Sequence, residues 1–135
     1  VVHVIAPKFG VVTGDDDTAV AVDESFLPAA PVLYDAVYVP GGINSVATLE
    51  AEANAVHFLN EAFKHCKAIA ADEQAMQVLK ATYFARKLPD DFSDETVLKE
   101  GIAIGSDADQ LAGQFIKAIA QHRFWEREKP RQVPA

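Results

Sequence analysis

Lys67-Ala68-Ile69-Ala70-Ala71-Asp72-Glu73-Gln74-Ala75-Met76 decides the fold class. Its first half is a short apolar run with no polar alternation, which suits a strand buried on both faces. Its second half continues as helical sequence to about Ala81, so strand passes into helix across a sharp elbow. Upstream, Tyr34-Asp35-Ala36-Val37-Tyr38-Val39-Pro40 repeats the pattern and ends in Gly41-Gly42. Between the two runs lie a helix near Ser45–Glu52 and a clearer one from Ala53 to Cys66. In the latter, Val56, Leu59, Phe63 and Cys66 recur at i, i+3, i+7 and i+10 as one apolar stripe. Downstream, Gly101-Ile102-Ala103-Ile104-Gly105 reads as a further strand. Asp107, with Gln110 three later, starts a helix to about His122 whose stripe is Leu111, Phe115 and Ile119. Strands that alternate with helices and are apolar throughout predict an α/β fold, a mainly parallel sheet with helices on both faces.

The amino-terminal third reads differently. Val1–Ala6 is a β-branched run closed by Pro7, which predicts a strand. Val11–Gly14 and Thr18–Val22 flank Asp15-Asp16-Asp17, a small hairpin with a solvated acidic tip. The three carboxylates lack the alternating ligands and distal Glu of an EF-hand loop. Ser25 to Pro31 is a proline-bounded connection, and Thr82 to Glu100 reads as irregular.

The 135 residues have a mass of 14.6 kDa, are half apolar, and have a mean hydropathy of +0.03. That is one domain with enough apolar residues for a core, and not a disordered segment. No apolar run approaches a bilayer span, and Val1–Pro7 is too short for a signal peptide and lacks a basic flank. One cysteine excludes a disulfide framework and fits a reducing compartment, so a cytoplasmic location is expected. Residues 1–116 hold 7 basic and 18 acidic side chains, and residues 117–135 hold 5 and 2. A body this acidic repels phosphate backbones, so no nucleic-acid partner is expected. The expected division is a domain over 1–122 and a tail over 123–135.

Chemistry in an open parallel sheet gathers at the carboxyl ends of the strands. Gly41 and Gly42 there form either an anion-binding turn or a plain tight turn. A hydrolase places Ser or Cys at the elbow after the next strand, backed by His. Glu73 stands at this apex with no Ser or Cys within five residues, and no partner that would make it a general base. Cys66 lies on an apolar stripe, where a thiol is packed and inert. His3, His57, His65 and His122 have no ligand spacing, and no phosphate-binding glycine motif is present, so neither metal nor nucleotide is expected.

Tyr34 to Gly42, with Ala68-Ile69-Ala70-Ala71 at the elbow, resembles the PfpI-like, class I glutamine amidotransferase-like superfamily. Active members carry Ala-Ala-x-Cys-His-Gly where this sequence has Ala70-Ala71-Asp72-Glu73-Gln74-Ala75. Glu73 and Gln74 would then mark a vestigial elbow without protease, amidase or deglycase activity. A nearer resemblance is to the C-terminal domain of large-subunit haem catalases. It rests on Gly14-Asp15-Asp16-Asp17, Asp35-Ala36-Val37 with Val39-Pro40-Gly41, Asn60-Glu61-Ala62-Phe63-Lys64-His65, and the ending Ala120-Gln121-His122-Arg123-Phe124-Trp125-Glu126-Arg127 with Val133-Pro134-Ala135.

The resemblance implies a flavodoxin-like, doubly wound sheet and an accessory, non-catalytic role. It implies a parent that decomposes hydrogen peroxide at a haem held outside these residues, an upstream catalase domain and like subunits as partners, and a homotetramer. It also implies that a first strand and helix are missing from this chain. Val1–Ala6 and Asp35–Val39 would then face each other across a gap, as in a piece of a longer polypeptide. Phe124 and Trp125 would either dock the tail on a partner or cover the domain's own core. The other readings are a free-standing protein of the superfamily, a hydrolase- or deglycase-like relic with an altered elbow that would use Glu73, Asp72 or a residue missing from the amino-terminal side, and a small-molecule- or protein-binding relic built around Gly41-Gly42.

Overall fold

The computed structural model describes residues 1–128. Seven strands, β1 (Ile5–Ala6), β2 (Gly10–Thr13), β3 (Ala19–Val22), β4 (Glu24–Ser25), β5 (Ala36–Val39), β6 (Ala68–Asp72) and β7 (Ile102–Gly105), precede or alternate with five helices. These are α1 (Ile43–Ala51), α2 (Ala53–Lys64), α3 (Met76–Lys80), α4 (Asp94–Glu100) and α5 (Ala108–Ala120). The central sheet is parallel, in the order β5-β6-β7.

Its two faces differ in side-chain size. Ile69, Ala71, Val39, Ile102 and Ile104 join Leu59, Phe63, Val78, Leu79 and Phe84 in one core. Ala68, Ala70 and Ala103 join Leu111, Ala118, Val97 and Phe124 in the other. A face lined by alanine brings α5 and the Phe124 ring close to the strands, while α2 and α3 cover the branched face. The Phe63 and Phe84 rings stack there at 4.2 Å between centroids.

Several expectations need correction. The strand expected over Val1–Ala6 shortens to β1, which pairs in parallel with β4, a two-residue partner just where the proline-bounded connection begins. The hairpin forms as expected, β2 with β3, but is exposed along nearly its whole length. The helix expected at Glu73 opens as a 3-10 turn over Glu73–Ala75 and turns α only at Met76. On α2 the buried residues are Ala55, Phe58, Leu59, Ala62 and Phe63, and Cys66 lies past the helix end with a φ of +59°. On α5 Leu111, Gln114 and Ala118 are buried, Phe115 is half-buried against the same core, and Ile119 is exposed. The Gln114 amide is satisfied in this buried place by donating to the Phe92 carbonyl at 3.1 Å and to Asp94 at 3.0 Å.

The stretch read as irregular contains α4. Ser93 Oγ accepts from the Thr96 N–H, and Gly101 ends the helix in the left-handed region. Lys117 on α5 donates to Asp94 at 2.8 Å, and that bond, with the one from Gln114, lowers the Asp94 pKa below its ordinary value. A depressed carboxylate adds stability above its unfolded value near 3.8 and loses it as pH falls through the lower folded value. Asp94→Asn is therefore expected to destabilise the domain at neutral pH. The difference from the parent should shrink as pH falls below 3.8 and vanish only once pH lies below the lower folded value, read by acid unfolding.

β1 and β5 are not paired with each other, and both line one cleft of about 760 Å³.

Candidate functional site

The elbow and the double glycine meet. β6 and β5 end side by side, Ala71 opposite Val39, so Asp72 projects beside the loop that follows Pro40. The Asp72 carboxylate caps the 3-10 turn by accepting the Gln74 N–H at 2.9 Å. Gln74 in turn accepts the Gly42 N–H on its Oε1 at 2.9 Å. A Cβ at Gly41 would lie 2.5 Å from Asp72 Oδ1 and 2.7 Å from its Cγ, so only glycine fits beside this carboxylate.

Each loop therefore satisfies the other. The Gly42 N–H, the donor an anion would use, already has an acceptor, and the Gly41 Cα lies against a carboxylate. The Glu73 side chain, at the apex, is exposed and makes no hydrogen bond or ion pair with the described residues, while the backbone carbonyl accepts the Met76 N–H. Tyr38 is the nearby phenol, held above its ordinary pKa by burial and then by the Asp72 charge. It therefore stays protonated at neutral pH and supplies no base. Gly41→Ala is expected to cost about 1–3 kcal/mol, read as a lower unfolding midpoint, because Asp72 must leave its cap.

The other residues singled out by sequence lie apart. Cys66 is fully buried at the opposite end of β6, its Sγ donating to the Lys64 carbonyl. His3 packs edge-on against Tyr34, His65 lies 3.7 Å from Glu61, and His122 is in the left-handed region just past α5. Among the described residues no three His, Cys, Asp or Glu side chains gather to hold a metal. Asp16 spends its carboxylate on the hairpin turn, accepting the Thr18 N–H at 3.1 Å, and those bonds lower its pKa.

Sequence reasoning missed the polar centre at the far end of the sheet. Arg127 Nε and one terminal nitrogen donate to the Glu100 carbonyl at 3.1 and 2.6 Å. The other donates to the carbonyls of Lys67 at 2.7 Å and Phe63 at 3.4 Å. The guanidinium lies 4.3 Å from the Phe63 ring centroid and 5.2 Å from that of Phe124. Burial lowers its pKa to about 10, so it stays charged at neutral pH. Beside it, Lys67 is 1% exposed, with Nζ donating to the Val32 carbonyl at 3.0 Å. Both cations serve backbone carbonyls, and no local pattern announces such a role.

Comparison with known proteins decides the family. The model for the C-terminal domain found in long catalases matches residues 1–129. The chain belongs to that family. Catalase HPII of Mycobacterium avium is 38% identical over 131 residues, covering 94% of this chain and 19% of the relative. Catalase-1 of Neurospora crassa is 30% identical over 140 residues, covering 93% and 19%. This long-catalase domain thus spans under a fifth of the length of these curated relatives.

Solved structures agree on the fold. A DJ-1 superfamily protein from Salmonella typhimurium superposes with a TM-score of 0.63 at 18% identity, covering 98% of this chain and 82% of that one. A two-domain protein from Anabaena variabilis, with DJ-1/ThiJ/PfpI-like and ferritin-like domains, gives 0.60 at 20% identity, covering 98% and 42%. The flavodoxin-like α/β class expected from sequence is the observed one.

Proposed function

We propose that this domain is a non-catalytic accessory module of a large-subunit haem catalase, whose upstream part converts hydrogen peroxide to water and oxygen. Membership of the long-catalase family supports the parent. The elbow supports the accessory role: the Glu73 side chain stands partnerless where a nucleophile would act, and Gln74 is engaged by the Gly42 N–H.

Haem does not fit this chain's own cleft. Among the described residues no Lys or Arg lines it to meet two propionates, whereas Asp15 does. The Tyr34 hydroxyl donates to Glu24 at 3.0 Å, and burial, with that bond, raises its pKa. That bond holds the Tyr34 hydroxyl to a carboxylate. The haem belongs to the upstream part, and no step of the reaction passes through these residues.

The module's proposed work is stability and tetramer assembly in a cytoplasmic enzyme, with the upstream domain and like subunits as its partners. The proposed division keeps a domain over 1–122 and a docking tail over 123–135. Phe124 roots the tail in the core, and Trp125 is 58% exposed, available to a partner. The end of the tail, including Lys129, Pro130, Arg131 and Val133-Pro134-Ala135, lies outside the described residues.

The experiment is the denatured mass of the native polypeptide, with its Soret absorbance and peroxide turnover. A mass several times 14.6 kDa with both signals is expected. A mass larger by only one strand and helix, with neither signal, would replace this reading with a free-standing relic and make Glu73→Gln the next variant.

A further inference from the structure

Lys67, at the entry to β6, ties two 3-10 turns to one pole of the sheet. Its Nζ donates to the Val32 carbonyl, in the turn Pro31–Leu33, at 3.0 Å. Its own carbonyl accepts from Arg127, in the turn Trp125–Arg127, at 2.7 Å. Both turns therefore sit at the amino-terminal ends of the strands, opposite the elbow. Neither turn buries a residue, and each puts large apolar side chains in solvent: Leu33 is 81% exposed, Val32 51% and Trp125 58%. Exposed apolar groups gathered in one region mark contact surfaces. Ile43 is exposed too, but at the opposite pole, next to the loop that Asp15 and Asp72 flank.

The chain also enters at the Lys67 pole. The His3 ring packs edge-on against Tyr34, just before β5, and the Tyr34 hydroxyl donates to Glu24, the first residue of β4. The amino end of β1 thus lies there, and Val1 and Val2 emerge from it exposed. A strand and helix preceding Val1 would run up the sheet and back down, so a longer polypeptide still reaches the domain from this end. Charge separates the two poles. Arg123 lies close enough to Lys67 for its charge, after burial, to lower the Lys67 pKa. Its hydrogen bonds to the described residues go only to His122, which leaves guanidinium donors for a partner. Asp15, Asp72, Glu73 and Asp107, by contrast, lie at the elbow's end of the sheet.

We propose that this amino-terminal pole docks on the upstream part of the same polypeptide and leaves the elbow facing away from it. Val32, Leu33 and Trp125 meet an apolar surface there, and Arg123 meets a carboxylate at its edge. The matched family is a C-terminal domain, and this chain spans 19% of the Mycobacterium avium relative, so a long polypeptide precedes the domain in it. The tether arrives at this pole, and tethering raises the effective concentration of two surfaces to the order of millimolar. A second copy across a two-fold axis would instead set Arg123 and its neighbouring cations against their own kind. The proposal rests on the proposed function for the existence of that upstream part, and adds which face meets it.

The test uses the full-length protein with Leu33 replaced by photocrosslinking benzoylphenylalanine, and, separately, Ile43 replaced in the same way. From position 33, an adduct within a single chain is expected, to a peptide more than about 30 residues before Val1, beyond one strand and helix. An adduct of two chains, an adduct to a nearer peptide or within residues 1–135, or no adduct overturns the proposal. An equal yield of the same adduct from position 43 overturns it too, because the two poles would then not be distinguished. Arg123→Gln should lower the yield from position 33, and Arg123→Glu should lower it further, several-fold. Undiminished yield in both variants overturns the carboxylate contact. Soret absorbance and peroxide turnover are read on the same samples. Their absence removes the catalase reading, while the docking face is still decided by the adducts.

Discussion

Replacing Gly101 with alanine is expected to destabilise the domain by about 3–5 kcal/mol, a substitution of a single methyl group with the effect of emptying a core site. Two penalties act together. Gly101 ends α4 with a φ of +71°, where a side chain costs about 1 kcal/mol. The larger penalty comes from Phe124, a buried residue whose ring occupies the space a Cβ would need, with its Cγ only 2.6 Å from that position. The ring faces Gly101 because the Phe124 N–H donates to the Cys66 carbonyl at 2.9 Å, which fixes its backbone. It cannot retreat without leaving the core it shares with Ala70, Val97 and Leu111. Unfolding of the double variant measures the coupling. In a Phe124→Ala background, Gly101→Ala should cost only about 1 kcal/mol, the backbone part alone. An equal cost in both backgrounds would contradict the account.

Arg127→Ala is expected to lower stability by about 3 kcal/mol, near 10 °C in the unfolding midpoint. The guanidinium joins three chain ends: the carboxyl ends of α2 and α4, through Phe63 and Glu100, and the entry to β6, through Lys67. Charge-assisted hydrogen bonds are worth more than neutral ones, and the Phe63 and Phe124 rings beside the guanidinium add cation–π attraction. Burial of the cation opposes these gains, which keeps the net below their sum. Arg127→Lys should recover little, because one ammonium cannot replace a planar fork that reaches carbonyls on three segments. Full stability in the lysine variant would show that only charge matters there.

Both predictions concern features that local sequence carries weakly. The sheet was legible because Ala36–Val39, Ala68–Asp72 and Ile102–Gly105 are apolar on both faces, a pattern that tertiary contacts only reinforce. The Asp107 cap was legible too, since its bond to the Gln110 N–H is local. The α5 face was legible in part: Leu111 is buried and Phe115 half-buried against the core as the pattern suggested, while Gln114, held by a long-range bond, takes a buried place and Ile119 is exposed. Helix α4 was passed over although Ser93, the acids at 94 and 95 and Gly101 are cap signals; Pro89 and the run of acids obscured them. β4 has two residues and no strand pattern of its own, and exists only through β1.

At the candidate site, sequence identified the elbow at Glu73 and Gln74 and the loop at Gly41 and Gly42. It did not show that the two meet through Asp72 and the Gln74 amide, a contact made across 32 positions of chain. Arg127 was equally illegible, because its acceptors are backbone carbonyls, which every residue type provides.

The most direct test of the accessory role removes residues 1–135 from the full-length protein, with Glu73→Gln in the intact protein made alongside. Soret absorbance, peroxide turnover per haem and the temperature of half-inactivation are measured on each. Turnover per haem should be unchanged in both variants, with half-inactivation at a lower temperature in the truncated one. Loss of turnover per haem with the Soret band intact, in either variant, would contradict a non-catalytic role.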